Sequence, residues 1–330
     1  MLINIASLIA GLVLLVFSAD YFVKGASALA RNLGVSPLLI GLTIIGLGTS
    51  APEMLVASIA SWQGNNGLAT GNAIGSNIAN IGLVLGLTAM VCPIIIQSSL
   101  LKRELPILLT ISIMSFLLVI DGHLSQLDGA ILVSGLILFL YWLNRSANSN
   151  RQQSPDPLAT EFSDEIPTDL SNKKAALCAL GGSLVLIASS KLLVWAAINI
   201  ATLFGVSDLV IGLTIIAIGT SLPELAASIA SVLKKEPDLA VGNIIGSNAF
   251  NLLAVLSLPG LINPGAVDSQ LVTRDFPIML GFTLCLFFFS YSFNGQPKIT
   301  RLKGFLFTLL FLTYLLKVYL DTSGVSFNLI

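Results

Sequence analysis

One histidine and three cysteines in 330 residues leave this chain almost without nitrogen or sulfur ligands for a metal. They also leave it short of the parts of a catalytic pair. An enzyme of the acyl- or group-transfer kind needs a nucleophile with a base in reach. The lone His123 falls in a short loop between apolar runs, with no Ser or Cys pairing in view, so no enzymatic activity is expected. Cys92, Cys178 and Cys285 are odd in number, far apart and without metal-ligand spacing, and read as packing residues. Charge is scarce as well. Only 10% of residues are charged, against about 25% in a soluble domain, which excludes a large water-facing domain. The net charge of −1 argues against a nucleic-acid partner.

What the chain has is apolar length. It is 55% hydrophobic with a mean hydropathy of +0.91, and a helix of about 20 apolar residues crosses a bilayer. Ten such spans are read near 3–24, 37–61, 68–96, 105–120, 127–143, 175–202, 208–233, 238–262, 276–293 and 302–320. The expected fold class is therefore an all-α membrane protein of ten transmembrane helices. The first segment lacks a preceding basic residue and a small-x-small cleavage site, and is expected to be a retained span. Orientation follows from Lys and Arg, which collect in cytoplasmic loops. With ten spans, Lys24, Arg31, Lys102, Arg103, Arg145, Arg151, Lys173, Lys174, Lys234, Lys235, Lys298, Arg301 and Lys303 share one side. Arg274 and Lys317 lie on the other, and Lys191 is inside a span. Both termini are expected on the periplasmic or extracellular side of an inner (plasma) membrane.

The segment GLTIIGLGTSAPE at 41–53 returns as GLTIIAIGTSLPE at 212–224, and GNAIGSNIAN at 71–80 as GNIIGSNAFN at 242–251. The offset is 171 throughout. Between 34–53 and 205–224, fifteen of twenty positions are identical. Each copy spans five helices, an odd number, so the second must enter the membrane in the opposite sense, as in secondary transporters built from inverted repeats. The expected organisation is a first five-helix repeat at 1–143, a cytoplasmic linker at 144–174 and a second, inverted repeat at 175–330. The linker is the only long polar stretch. Its acids Glu161, Asp164, Glu165 and Asp169 lack the glycine and terminal glutamate of an EF-hand loop, so a flexible tether is expected.

Each copy carries one glutamate, Glu53 or Glu224, in a stretch apolar enough to cross hydrocarbon. An intramembrane acid is costly and marks an ion or substrate path. Pro52 and Pro223 lack an amide proton and clash with the carbonyl four residues back, at Gly48 and Gly219. A kink there frees backbone oxygens of Gly48–Thr49 and Gly219–Thr220, which a membrane requires to be satisfied by protein, water or an ion. Ser50 and Thr49, three and four residues before Glu53, share its helix face, as Ser221 and Thr220 share that of Glu224. Asn72, Ser76 and Asn80 form a stripe repeated as Asn243, Ser247 and Asn251, serving as interhelical glue or as ligands. Gly71, Gly75, Gly242 and Gly246 let helices approach closely. Asp20 and Lys191 are equivalent by the same offset and are expected to be structural. The assembled groups are oxygens only, the ligands of hard cations such as Ca²⁺. Two glutamates balance one Ca²⁺. Emptied, they face one another as like charges, which favours replacement by Na⁺ or protons over uniport.

The paired G-T-S-x-P-E and G-S-N-x-x-N segments resemble the α-repeats of the sodium/calcium exchanger family, in the Ca²⁺:cation antiporter superfamily. The resemblance covers the whole membrane portion. It implies ten helices in two inverted halves, with ions at the midplane between the second, third, seventh and eighth. It implies Ca²⁺ held by Glu53 and Glu224 with backbone oxygens near Thr49 and Thr220. It implies Na⁺ sites around Ser50, Ser221, Ser76 and Ser247, the carbonyl of Ala217 and Gly46, with Asn80 and Asn251 facing the same cavity. The first and sixth helices would slide as gates. Relatives linked to K⁺ dependence carry an acid where Asn251 stands, and proton-exchanging relatives carry a further acid after the asparagine motif. Neither is present here. The short linker lacks the Ca²⁺-sensing domains of the large animal exchangers. The implied activity is Na⁺/Ca²⁺ antiport by alternating access without a prosthetic group. Ca²⁺/H⁺ antiport is the alternative and a cation channel a more distant one. Beyond the two ions and the lipid bilayer, nothing in the sequence singles out a protein partner.

Overall fold

A computed structural model describes residues 1–35, 40, 46–95, 99–149, 166–290 and 298–322. The described chain is nearly all helix. Eight of its helices are long and apolar enough to cross a bilayer: Leu2–Asn32, Asn66–Val91, Gln126–Leu143, Asn172–Phe204, Asp208–Leu233, Pro237–Ile262, Leu271–Ser290 and Arg301–Thr322. Two further expected spans are seen differently. The one near 37–61 is described continuously only from Gly46. The one near 105–120 is the helix Ser99–Val119, whose 21 residues give about 32 Å at about 1.5 Å each, but whose first turns carry Lys102, Arg103 and Glu104.

Burial separates the helices into a centre and a periphery. The helices Asn66–Val91 and Pro237–Ile262, which carry the asparagine motifs, are the most buried of the eight. Leu2–Asn32 and Asn172–Phe204 run alongside each other at the outside, and expose Phe17 and Leu184 in the manner of lipid-facing positions. Their close approach uses glycine reciprocally. A Cβ on Gly11 would stand 3.2 Å from the Leu193 amide, and one on Gly182 only 2.6 Å from the Phe22 amide. Those two contacts exchange under the 171-residue offset.

Among the described residues, four two-residue strands in two ladders depart from the all-α expectation. β1 (Ile94–Ile95) pairs antiparallel with β4 (Lys298–Ile299), and β2 (His123–Leu124) with β3 (Gly265–Ala266). β1 and β3 are equivalents at the offset, so each half lends a strand to the other half. Residues so short in extended backbone carry no periodicity to read. Within the bounds expected for the linker, one helix runs on to Ser149 and another begins at Asn172. Glu161, Asp164 and Glu165 lie outside the described residues, as does the repeat segment 41–45.

One ionic cluster ties the last two helices together. Arg274 donates to both Asp275 oxygens at 2.8 and 3.2 Å, to Asp321 at 3.0 Å and to Gln270 at 3.1 Å, while the Tyr314 hydroxyl donates to Asp275 at 3.1 Å. Arg274, Asp275 and Tyr314 are buried. Removing one member leaves a buried charge uncompensated, at a cost of about 3–5 kcal/mol. Asp275→Ala is expected to lower the melting temperature in detergent far more than Asp20→Ala, which breaks only the exposed 2.7 Å pair with Lys24.

Candidate functional site

Both glutamates sit just past a break in their helices. The first break separates Gly46–Thr49 from Ala51–Trp62 and the second separates Ala217–Thr220 from Leu222–Leu233. Ser50 and Ser221 adopt nearly the same conformation at the two breaks, φ −85° ψ 1° and φ −84° ψ 1°. Pro52 and Pro223 fall in the first turn of the following helix, where a missing amide proton costs nothing. The interruption is therefore fuller than the kink expected from proline alone. It places Glu53 and Glu224 in the first turn of a new helix, where the helix dipole favours negative charge.

Around the breaks the two halves bond across to each other in matched pairs. The Thr49 hydroxyl donates to Asn243 Oδ1 at 3.4 Å, and the Thr220 hydroxyl donates to Asn72 Oδ1 at 3.3 Å. Thr49 and Ser247 share a hydroxyl contact of 3.2 Å, and Thr220 and Ser76 one of 3.4 Å. Each pair becomes the other on adding 171 to one member and subtracting it from the other. Thus the threonine of one half is fastened to the asparagine stripe of the opposite half. The structure brings Glu53, Glu224, Thr220, Ser50, Ser221, Ser76, Ser247, Asn80, Asn251 and Ala217 into the buried interior, with Thr49 half-buried. Gly46 opens the helix that ends at Thr49.

The carboxylates are short of donors. Neither oxygen of Glu53 accepts a hydrogen bond, although the Thr220 hydroxyl and the Glu224 carboxylate both lie near enough to act on it. Glu224 Oε1 accepts from Ser247 at 3.3 Å, and its Oε2 has no partner. Ser50 Oγ and Ser221 Oγ, Asn80 Oδ1, and both side-chain polar atoms of Asn251 are buried without partners. Buried polar atoms in folded proteins are nearly always hydrogen-bonded, so a cluster of orphan oxygens calls for something to fill it. These oxygens, with two carboxylates among them, suit a hard cation. The Ala217 carbonyl is already used within its helix, accepting from the Ser221 amide at 3.1 Å and the Thr220 hydroxyl at 3.4 Å.

The individual bonds of the asparagines, and the turns that follow the stripes, go beyond a reading of the motifs. Asn72 Nδ2 donates to the Glu53 carbonyl at 3.2 Å, fixing the amide that receives Thr220. Asn248 Oδ1 accepts from Asn80 Nδ2 at 3.0 Å, which turns the Asn80 oxygen away from that bond. π-Helical turns begin at Asn80 and at Asn251, the last residue of each stripe. Such bulges are frequent at functional sites. Asn248 is flagged by its place in the repeated G-S-N triplet; the π-turns have no sequence signal.

A cavity of about 420 Å³ leads to one side of this cluster, touching Thr49, Asn243 and Gly246 and reaching Lys24 and Lys234 at the surface. Asn72 and Gly75, the mates of Asn243 and Gly246, are buried. Among the described residues, this cavity thus meets the second half's stripe and not the first half's.

A sequence profile of the sodium/calcium exchanger protein family matches residues 3–144 and 174–320, nearly the whole chain. The chain belongs to the sodium/calcium exchanger family. Among its relatives, the inner membrane protein YrbG of Escherichia coli K12 is 42% identical over 320 residues, covering 97% of this chain and 98% of YrbG. The sodium/calcium exchanger MaX1 of Methanosarcina acetivorans is 31% identical over 348 residues, covering 96% and 99%. Among solved structures, the sodium-calcium exchanger NCX_Mj soaked with Na⁺ and Sr²⁺ superposes with a TM-score of 0.66 at 32% identity, covering 94% of this chain and 97% of that one. MaX1 and NCX_Mj are named as exchangers, transporters rather than enzymes.

Proposed function

We propose that this chain is a secondary antiporter that moves Ca²⁺ against Na⁺ by alternating access. The observation that carries the reading is the set of matched cross-half bonds beside three carboxylate oxygens, both of Glu53 and Oε2 of Glu224, that accept no hydrogen bond. Glu53 and Glu224 hold Ca²⁺, aided by oxygens of Thr49 and Thr220. Ser50, Ser221, Ser76 and Ser247, with backbone oxygens of Ala217 and Gly46, receive Na⁺, and Asn80 and Asn251 face the same space. The two cargoes compete because they share carboxylates, and competition for one site is what couples their opposite movements. The family membership and the likeness to MaX1 and NCX_Mj support both ions.

The fold behind this is ten crossings in two inverted halves, 1–143 and 175–330, joined by the segment 144–174. The matched threonine–asparagine bonds and the exchanged strands support a two-fold relation between the halves. The basic residues support termini outside the cytoplasm and the linker within it. On that orientation the cavity at Lys24 and Lys234 opens toward the cytoplasm, so the structure is an inward-facing state. The mirror arrangement, with Asn72 and Gly75 opened and Asn243 and Gly246 closed, is then the outward-facing one.

The test is radiolabelled Ca²⁺ uptake into proteoliposomes loaded with Na⁺, with K⁺ or with a proton gradient. Uptake that requires internal Na⁺ is expected. Uptake driven by protons alone would move the function to Ca²⁺/H⁺ exchange on the same site, and Ca²⁺ conduction without a counter-ion would make it a channel.

A further inference from the structure

The triplet Gly-Ser-Asn stands at 75–77 and again at 246–248, and each copy is followed by the last asparagine of its stripe, Asn80 or Asn251. At the 171-residue offset Asn77 answers Asn248, and Asn80 answers Asn251. The helix Pro237–Phe250 contacts the π-turn Asn80–Leu85, and the helix Asn66–Ala79 contacts the π-turn Asn251–Val255. Symmetry thus allows two equivalent amide bonds between the halves, Asn80 to Asn248 and Asn251 to Asn77. The first is made, with Asn80 Nδ2 donating to Asn248 Oδ1 at 3.0 Å. For the second, both ends stand unused. Asn251 Nδ2 has no acceptor and Asn77 Oδ1 no donor, although the two side chains are buried, at 0% and 1% exposure. Asn77 Nδ2 is turned back onto its own helix, donating to the Ala73 carbonyl at 2.9 Å. Local backbone does not account for the difference, since Asn80 has φ −61° ψ −40° and Asn251 φ −61° ψ −39°.

We infer that Asn248 and Asn77 are positioning residues that latch Asn80 and Asn251 in turn, one latch for each access state. This rests on the reading above in which the two halves exchange roles. Here the Asn80–Asn248 latch is closed while the cavity meets the second half's stripe. In the mirror state Asn77 takes Asn251, and Asn248 releases Asn80. A buried amide left unbonded is costly, so the open pair favours the movement that closes it, and that movement opens the other pair. A bond made in one state and lost in the other is what biases a two-state equilibrium. The latch holds its asparagine by the nitrogen and leaves the oxygen, here Asn80 Oδ1, free of protein donors and open to a cation.

The test reads state populations by cysteine labelling of purified protein in detergent at one fixed Na⁺ concentration, in a background of Cys92→Ser, Cys178→Ser and Cys285→Ser. Ala227 is exposed and lines the cavity, whereas its mate Val56 is buried. The ratio of maleimide labelling rates at Ala227→Cys and Val56→Cys therefore follows the two states. Asn248→Ala removes the closed latch and should lower that ratio about fivefold, the worth of one neutral hydrogen bond. Asn77→Ala removes the open latch and should raise the ratio about fivefold, although it breaks no bond between the halves here. The double variant should return it to the wild-type value. In sided proteoliposomes, Asn248→Ala should raise the Ca²⁺ KM at the cavity face and lower it at the opposite face, and Asn77→Ala the reverse. If Asn248→Ala does not fold, Asn77→Ala carries the test alone, because a merely structural role gives no upward shift. Shifts of the same direction in both variants, or an unshifted ratio in Asn77→Ala, would overturn the latch. A wild type that moves no Ca²⁺ overturns the exchanger reading, while opposite labelling shifts would still uphold the latch. A wild type that exchanges Ca²⁺ beside unshifted ratios overturns the latch alone.

Discussion

Glu53→Gln and Glu224→Gln are each expected to reduce Ca²⁺ exchange by at least a hundredfold while leaving a folded protein. The two halves of that statement have separate causes. A carboxylate oxygen contacts Ca²⁺ at about 2.4 Å, and a unit charge there attracts a divalent ion by about 14 kcal/mol at an effective dielectric of about 20. Desolvation of both groups cancels most of this. A surviving fifth is still about 2.8 kcal/mol, and about 2.7 kcal/mol corresponds to a hundredfold in affinity. The amide keeps an oxygen but loses the charge, and the remaining carboxylate alone cannot balance a divalent cation. Folding should not suffer, because the exchange to Gln removes a charge from the buried interior, where both carboxylates are fully enclosed. Flux in proteoliposomes measures the first half and thermal melting in detergent the second. Retained flux in either variant would remove that glutamate from the site. Loss of folded protein in both would recast the pair as structural. The two variants should also match one another, since the bonds that frame Glu53 and Glu224 are matched across the halves.

The sequence made much of this legible because duplication does two jobs at once. It marks the positions that matter, and it fixes which residue of one half answers which residue of the other. Glu53, Glu224 and the three-residue stripes were readable for that reason, and the structure gathers them as the spacing implies. What was not legible depends on contacts between halves. The break at Ser50 and Ser221 is sharper than a proline kink because each serine ends one helix and the proline sits inside the first turn of the next, a division set by tertiary fit. The π-turns at Asn80 and Asn251 cost backbone geometry that no local residue preference foretells. The β1–β4 and β2–β3 ladders join segments some 140 to 200 residues apart and are two residues long, below any alternation that a pattern could show.

Glycine expectations divide in a way that sequence symmetry alone forbids. Gly75 and Gly246 are equivalent, and on sequence both should mark a close helix approach. At Gly75 a Cβ would stand 2.8 Å from the Leu213 carbonyl and 2.8 Å from the Ala217 Cβ. At Gly246, which borders the cavity, the contact among the described residues is Phe250 Cε2 at 3.9 Å, and residue 42, the mate of Leu213, lies outside the described residues. The same substitution should therefore have opposite consequences at the two sites. Gly75→Leu drives a side chain into backbone that cannot yield. Overpacking of even a few methylenes costs about 1–3 kcal/mol, and an unyielding backbone puts this case at or beyond the upper end. It is expected to give little folded protein, and Gly75→Ala a lowered melting temperature. Gly246→Leu is expected to fold more readily than Gly75→Leu, because Gly246 lines the cavity. Its side chain stands in the cavity beside Asn243, where the mirror state must close, so turnover should fall at least tenfold, about 1.4 kcal/mol in the barrier. Size-exclusion profiles and melting curves read the first effect, and Ca²⁺ flux reads the second. If Gly246→Leu unfolds as readily as Gly75→Leu, the two halves are equally closed in the stable state, and one-sided access fails as a description of it. If it folds and transports at the wild-type rate, the cavity stays open throughout the cycle, and the two halves do not exchange roles.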